Sequence, residues 1–154
     1  MCAKPVGVKI IATNRKARHF YELLDFIEAG MVLTGSEVKS LREGRVNFMD
    51  GYVRLSTGEA YLSGVHISPY ANAGYAQHDP DRERKLLLHL HEIKSLKSRM
   101  EQKGLTLVPT KIYFKNGKIK IELALAKGKK VHDRREDLKQ KAVNRDTERE
   151  MHRV

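Results

Sequence analysis

The chain has 154 residues, 40% of them hydrophobic, with 30 Lys and Arg against 19 Asp and Glu, which gives a formal net charge of +11. One main domain with a tail is expected at this length, and the charge favours a polyanionic partner, RNA or DNA first, over a merely soluble basic protein. Cys2 is the single cysteine, so an intrachain disulfide is excluded and a reducing compartment is expected. No run approaches about 20 apolar residues, and residues 8–12 are too short and too charged for a secretory signal. We therefore expect a cytoplasmic protein that does not contact a membrane.

The first third of the chain contains one clear helix and one ambiguous apolar run. Residues 1–8 are predicted to form a flexible leader. Apolar residues crowd together over 20–33, where both a helix and a long strand fit the pattern. Residues 35–44 predict a short helix, with Ser36 as its cap and Gly44 as its end.

Strand signals dominate the middle of the chain. Residues 52–62 alternate around a Ser-Thr-Gly turn and predict a hairpin, and a short strand is expected over 65–67. Residues 68–81 are rich in Pro, Gly, Asn and Ala, which is typical of a long exposed loop. Apolar residues then recur at helical spacing over 86–103, and Gly104 is the expected stop.

The clearest local prediction is a second hairpin over residues 105–126. Its two alternating runs are joined by Asn116-Gly117, a dipeptide favoured in type I′ turns. Alternation predicts a sheet with one buried face. The opposite, wet face is expected to carry Lys118, Lys120, Glu122, Ala124 and Ala126. Several antiparallel strands, two helices and a tail indicate a small OB-like barrel with helical insertions, a fold that commonly binds RNA.

The last 28 residues, 127–154, are dominated by charge. Ten are Lys or Arg and six are Asp or Glu, so the segment carries a net charge of +4 and few large apolar side chains. Such a segment cannot bury enough apolar surface to offset its ordering entropy alone. It has no proline and a single glycine, Gly128, so we expect a helix that forms on contact with a large negative partner.

Catalytic signatures are weak throughout. The chain has neither a glycine-rich phosphate loop nor a nucleophile-elbow serine. His89 and His91 lie two apart on a predicted helix, so their side chains should point in different directions, and no zinc site is expected. The pair His78-Asp79 fits a nuclease base with a metal ligand, or a solvated loop pair. We expect no catalytic residue, no metal and no cofactor.

Two further features have alternative interpretations. Glu28 and Glu37 are either exposed or salt-bridged carboxylates, or acceptors for a base edge or an RNA hydroxyl. The run Leu86-Leu87-Leu88 is either fully buried or leaves one leucine exposed to pack against a base or ribose.

Seven segments resemble one family, in order and over about residues 11–136. They are IATNRKARH at 11–19, FIEAGMVLTGSEVKSLREGRVN at 26–47, HISPYA at 66–71, RKLLLH at 84–89, KGLTLVP at 103–109, YFKNGKIKIELALAKGKK at 113–130 and DRRE at 133–136. Together they resemble the SsrA-binding protein family, also called small protein B, the bacterial partners of transfer-messenger RNA (tmRNA).

The resemblance implies an OB-like antiparallel barrel over 9–128 with flanking helices, and a strand rather than a helix over 20–33. It implies binding rather than catalysis. Family members bind the tRNA-like domain of alanyl-tmRNA, and so meet elongation factor Tu indirectly, and they deliver this RNA to stalled 70S ribosomes. The basic tail, 129–154, is expected to be disordered alone and helical on the ribosome, where it enters the empty decoding site and mRNA channel.

Site residues are likewise implied by the resemblance. Glu28, Leu87 and Lys120 match tmRNA contacts of the family, and Lys118 shares the wet face with Lys120. A basic RNA-facing segment matches Asn14, Arg15, Lys16, Arg18 and His19. The decoding-site and channel segment matches Lys129, Lys130, His132, Asp133, Arg134 and Arg135, with His132 matching a residue that stacks on a ribosomal base.

The match has departures, and two other functions compete with it. Arg134 stands where Lys is usual, Ser36 stands where a bulkier residue is common, and 137–154 match only in character. A general OB-fold RNA-binding or ribosome-associated protein would lack tmRNA specificity and would not need Asp133 to Arg135. An RNA-processing enzyme would need a metal or an activated nucleophile.

Overall fold

The computed structural model describes residues 7–71, 74, 77–129 and 131–152. Residues 1–6 of the predicted leader lie outside this range, and the first strand already begins at Val8. The four helices are α1 Arg15–Phe20, α2 Gly35–Arg42, α3 Leu90–Lys103 and α4 Val131–Met151. The strands are β1 Val8–Thr13, β2 Tyr21–Met31, β3 Val46–Asn47, β4 Tyr52–Ser56, β5 Glu59–Ser63, β6 His66–Ile67, β7 Arg84–Leu87, β8 Thr106–Lys115 and β9 Lys118–Gly128.

Seven strands form one antiparallel sheet in the order β1-β8-β9-β2-β7-β5-β4, and β3 pairs separately with β6. The strand β4 at one edge also packs against β8, so the sheet curls around its core. Fully buried side chains such as Leu62, Ile112, Ile121 and Leu123 fill that core. The predicted class, mainly β with helices, is confirmed.

The apolar run over 20–33 forms the long strand β2, as the family resemblance implies. It pairs with β9 from Tyr21 opposite Gly128 to Gly30 opposite Lys120, with an irregularity between Leu23 and Asp25. This irregularity explains why the sequence pattern alone was ambiguous. A strand bent by a bulge loses strict alternation and comes to resemble helical spacing.

The predicted hairpin of β8 and β9 is confirmed, with Asn116 at φ 53° and Gly117 at φ 73°, the two positive values of a type I′ turn. The predicted wet face is correct only near that turn. Ala124 and Ala126 are buried, with relative exposures of 0% and 1%, and Ala126 packs in one cluster with Ala17 of helix α1.

Helix α2 begins one residue before the predicted cap, so the assignment of Ser36 as cap is wrong. Thr34 is the cap: the Glu37 amide faces its hydroxyl, and its own amide donates to Glu37 Oε2 at 2.9 Å in a capping box. Ser36 is instead buried, with its hydroxyl 2.8 Å from Nδ1 of His78. The described residues of the segment 68–81, which are 68–71, 74 and 77–81, form no strand or α-helix, as the loop prediction expects, but they are not all exposed, because His78 is buried.

The predicted helix over 86–103 is wrong in its first four residues. Leu86 belongs to β7, where it pairs with Met31 and Ala60, and α3 begins only at Leu90. Within the strand Leu86 is buried and Leu87 is exposed, so the leucine run does leave one side chain off the core.

Of the two predictions about the ends of α3, one is wrong and one is correct. The rings of His89 and His91 stack with centroids 5.5 Å apart, so the expectation that they diverge was wrong. The difference arises because His89 precedes the helix as its cap and has extended backbone. Gly104 ends the helix at φ 62°, as predicted.

A buried ion pair joins α2 to β7. The side chains of Glu37 and Arg84 are both inaccessible to solvent, and Arg84 Nε donates to Glu37 Oε1 at 3.0 Å. Arg84 also donates to the carbonyls of Val65 at 2.7 Å and Pro80 at 2.9 Å, while Arg82 donates to Glu37 Oε2 at 2.8 Å. Burial would raise the pKa of Glu37, but the hydrogen bonds from Arg82 and the Thr34 amide, with the charges of both arginines, lower it. Glu37 is thus a salt-bridged carboxylate.

We expect Glu37→Ala to destabilise the fold by about 3–5 kcal/mol, because it leaves the buried Arg84 charge without its partner. Urea unfolding followed by circular dichroism measures this free energy. Glu43→Ala is the matched control, since Glu43 pairs with Arg45 at the solvent-exposed end of the same helix, and its loss should stay within about 0.5 kcal/mol. Equal effects of the two substitutions would contradict the assigned role of Glu37.

Candidate nucleic-acid interface

Cross-strand pairing gathers three of the predicted site residues on the outer face of the sheet. Gly30 of β2 lies opposite Lys120 of β9 on one side and opposite Leu87 of β7 on the other. Directly opposed residues project to the same face, and so do residues two apart along one strand. Glu28, Lys120 and Leu87 therefore share one face, which we call the outer face.

Leu87 stands out from this face with 57% of its surface exposed. It lies over Gly30, where an added Cβ would come within 3.3 Å of both Cβ and Cδ1 of Leu87. The glycine thus lets an exposed leucine lie close to the sheet. An apolar side chain held in this way offers a flat contact for a base or a ribose.

A groove of about 300 Å³ runs beside Leu87 toward the β8–β9 turn. Leu33, Val38 and Phe114 contribute apolar walls, and Lys118 and Lys120 stand at its rim. Along this groove, apolar surface meets the positive charge of the outer face.

Glu28 has a half-exposed carboxylate that two residues of β8 hold in place. The Tyr113 hydroxyl donates to its Oε2, and Lys115 Nζ lies 3.3 Å from the same atom. The Tyr113 hydrogen bond is the main cause that lowers the pKa of Glu28, assisted by the charges of Lys115 and Lys120. Glu28 is therefore ionised at neutral pH and only accepts hydrogen bonds.

Sequence reasoning missed Tyr113 and Lys115 as members of the site. Tyr113 is opposite Lys120 and Lys115 is opposite Lys118 across the hairpin, so both belong to the outer face. A signal was present, because a two-residue type I′ turn fixes the register of the whole hairpin. The link from β8 to Glu28 could not be found in this way, since β2 is far away in sequence.

Helix α1 covers the other end of the outer face and carries the predicted basic cluster. Arg15, Lys16 and Arg18 are exposed, and His19 is half-buried. Asn14, predicted as part of this cluster, is only 7% exposed. Its Oδ1 accepts from the Ala17 amide at 3.2 Å, and its Nδ2 donates to the Pro109 carbonyl at 2.9 Å. The side chain of Asn14 thus caps α1 and ties it to β8.

The tail begins against the end of α1. The backbone amide of Lys129 donates to the Phe20 carbonyl at 3.0 Å, and its Nζ donates to the Arg18 carbonyl at 3.3 Å. Both acceptors lie in the last turn of α1, where the helix dipole favours a cation. Lys129 therefore fixes the point from which the tail leaves the sheet.

The remaining tail predictions meet the structure only in part. Lys130 lies outside the described residues. His132, Asp133 and Arg134 belong to the backbone of α4, and their side chains are not described, while Arg135 is exposed. Every side chain of α4 that the structure describes is exposed, including those of Leu138, Val143 and Met151. The described part of this helix thus has no packed face.

The described residues contain neither a membrane-spanning helix nor a cluster of metal ligands. None of their helices is both long and apolar enough to cross a membrane. No three of their His, Cys, Asp and Glu side chains come together in a group that could hold a metal ion.

Fold and site together define a small basic β protein with an open, lysine-bearing sheet face and an appended charged helix, an arrangement typical of nucleic-acid-binding modules. The family model "SmpB protein" matches residues 11–153. The chain therefore belongs to the SmpB family, also known as SsrA-binding proteins.

Individual relatives agree with this assignment. The chain is 63% identical over 153 residues to the SsrA-binding protein of Nitratidesulfovibrio vulgaris (strain DP4), with 99% of both chains covered. It is 54% identical over 152 residues to that of Nostoc punctiforme, with 98% of both covered. A similar solved chain, described as "tmRNA-SmpB: a journey to the center of the bacterial ribosome", has a TM-score of 0.66 and 54% identity, and the match covers 78% of this chain and 85% of that one.

Proposed function

We propose that the protein is the adaptor that binds the tRNA-like domain of tmRNA and brings it to stalled ribosomes. Family membership and the names of its relatives support this assignment. The observation that carries it is the convergence of Glu28, Leu87 and Lys120 on one open face of the sheet. If these three residues from separate segments served only to pack the core, we would not expect them to share an exposed face.

The outer face offers three kinds of contact to a folded RNA. Lys118 and Lys120 neutralise phosphates, and Leu87 packs against a base or ribose. Glu28 accepts a hydrogen bond from a 2′-hydroxyl or from the N–H of a base edge. This mixture of contacts suits the varied surface of a folded RNA better than it suits a uniform phosphate backbone.

Helix α1 extends this surface with its exposed cations. We assign phosphate contacts to Arg15, Lys16 and Arg18, and a contact at the rim to His19. Asn14 supports them indirectly, since its side chain holds the helix on β8. Its role in RNA binding is therefore to position its basic neighbours.

The tail supplies the second half of the function. Starting from the anchored Lys129, we assign Lys130, His132, Asp133, Arg134 and Arg135 to the vacant decoding site and mRNA channel of the 70S ribosome. A helix without a packed face is marginal in water, so α4 gains stable order only inside that channel. A message that still fills the channel excludes it sterically, which restricts the action to stalled ribosomes.

The adaptor acts by binding and performs no chemistry on the RNA. Delivery takes place in the cytoplasm, and elongation factor Tu takes part indirectly because it holds the alanyl-tmRNA. A general RNA-binding role without tmRNA specificity is the second candidate. The exposed cations of α1 favour it, because phosphate contacts alone do not distinguish one RNA from another.

A competition binding assay separates the two candidates. Full-length protein at near-physiological salt should prefer the tRNA-like domain of tmRNA over tRNA-Ala by about a hundredfold or more, roughly 3 kcal/mol. Salt must be held constant, since phosphate contacts weaken steeply as it rises. Equal affinity for the two RNAs would overturn the adaptor and leave the general RNA-binding protein.

We expect Lys120→Ala to weaken binding of the tRNA-like domain about tenfold and to reduce the salt slope of the affinity by about one, as loss of one phosphate contact does. A filter-binding series at several salt concentrations measures both quantities. Lys103→Ala is the control, because it removes the same charge from the exposed end of α3. If both variants lose the same affinity, net charge and not the outer face governs binding.

Removing residues 131–154 should leave affinity for the tRNA-like domain within about twofold, because the outer face and α1 remain intact, yet abolish rescue. Rescue is measured as alanine transfer to a peptide stalled on a truncated message in a reconstituted translation system. A scrambled tail of the same composition should also fail, which separates sequence from charge. Peptide tagging by the truncated protein would refute the role assigned to the tail.

A further inference from the structure

The Glu28 carboxylate is held by a side chain from two strands away. Tyr113 belongs to β8 and Glu28 to β2, with β9 between them. Neighbouring strands lie about 4.8 Å apart, so the hydroxyl reaches Glu28 only because the aromatic side chain lies across β9. Tyr113 is itself only 6% exposed, which fixes the ring in this position.

We propose that Tyr113 is the positioning residue for the RNA contact made by Glu28, an inference that rests on the proposed function. Its hydroxyl occupies Oε2, and Oε1 retains among the described residues only a long contact of 3.5 Å from Lys115 Nζ. Oε1 is then the oxygen that accepts one hydrogen bond from the RNA. The donor is a ribose 2′-hydroxyl or a base N–H.

The same contact keeps Glu28 away from Lys120. The two residues lie close enough for the lysine charge to lower the pKa of Glu28, yet no ion pair forms between them among the described residues. Without the Tyr113 hydroxyl, only the exposed Lys115 restrains the carboxylate, which can then turn toward the lysine assigned to a phosphate. Tyr113 thus keeps an acceptor and a cation available side by side.

The charged groups around Glu28 come from β9, which pairs with β2, and from β8 beyond it. Lys115 lies on β8, and Lys120 and Glu122 lie on β9, with Glu122 directly opposite Glu28. Lys111 partly neutralises Glu122 at 3.6 Å. Tyr113 remains a donor throughout, because burial and the nearby Glu28 raise its pKa.

A double-mutant cycle tests whether Tyr113 acts through Glu28. Full-length parent, Tyr113→Phe, Glu28→Gln and the double variant are compared for affinity to the tRNA-like domain of tmRNA. We expect each single change to weaken binding about tenfold, as loss of a charge-assisted hydrogen bond does. The double variant should be no weaker than Glu28→Gln within about twofold, since the two residues form one unit.

The pH dependence of the affinity distinguishes a tyrosine that acts on Glu28 from one that only stabilises the fold. Tyr113→Phe should raise the pKa of Glu28 toward its ordinary value, so the loss of affinity on acidification should begin at a higher pH than in the parent. Glu28→Gln should lack this acid limb. Tyr61→Phe is the matched control, because it removes a tyrosine hydroxyl that donates to Glu59 elsewhere on the sheet.

Each outcome has a separate meaning. Suppose that the parent still prefers tmRNA. The inference is then overturned by additive losses in the cycle, about a hundredfold in the double variant, or by an unchanged acid limb in Tyr113→Phe. A parent without that preference would overturn the proposed function and the inference with it. Melting temperatures measured alongside identify any variant that has lost its fold, and Glu28→Gln then tests the site alone.

Discussion

The orientation of the whole candidate surface depends on the buried pair of Glu37 and Arg84. Arg84 points inward to reach Glu37, and side chains alternate along a strand, so Leu86 must be buried and Leu87 must face outward. A slip of one residue would exchange the two leucines and bury a charge without a partner. The ion pair therefore specifies which leucine is presented beside Gly30, in addition to holding α2 on the sheet.

The outer face is divided by helix α1 into a dry end and an open end. Ala17 of α1 packs with Ala126 of β9, while the lysines near the β8–β9 turn stay accessible. The same short helix accepts the hydrogen bonds of Lys129, the first residue of the tail. Asn14, by capping α1, consequently supports the basic cluster and the tail's point of departure at once. A change in this one cap would alter both halves of the proposed adaptor.

Local signals predicted the elements that depend on neighbouring residues. Asn116-Gly117 gave the β8–β9 hairpin, and counting outward from that turn places Tyr113 beside Lys120. The failures involve partners distant in sequence. Ser36 has a suitable hydroxyl for a cap, but its hydrogen-bond partner is His78, 42 residues away. Glu37 is buried because of Arg84, 47 residues away, and the leucine run became a strand because β2 and β5 lie on either side of it. Periodicity carries no information about such pairings.

In the proposed function, a carboxylate on the outer face requires a physical reason, because it repels the phosphates that the lysines are assigned to attract. Glu28 repels any phosphate placed beside it, so a face selected only for affinity to phosphates would have a neutral residue there. Its value lies in discrimination: an RNA that directs a hydroxyl or a base N–H at Oε1 offsets the repulsion, and one that directs a phosphate there does not. The Tyr113 hydroxyl strengthens this discrimination, because a fixed oxygen rejects misplaced donors that a mobile one would follow. In this proposal the lysines supply affinity without selectivity, and the glutamate held by Tyr113 supplies the selectivity.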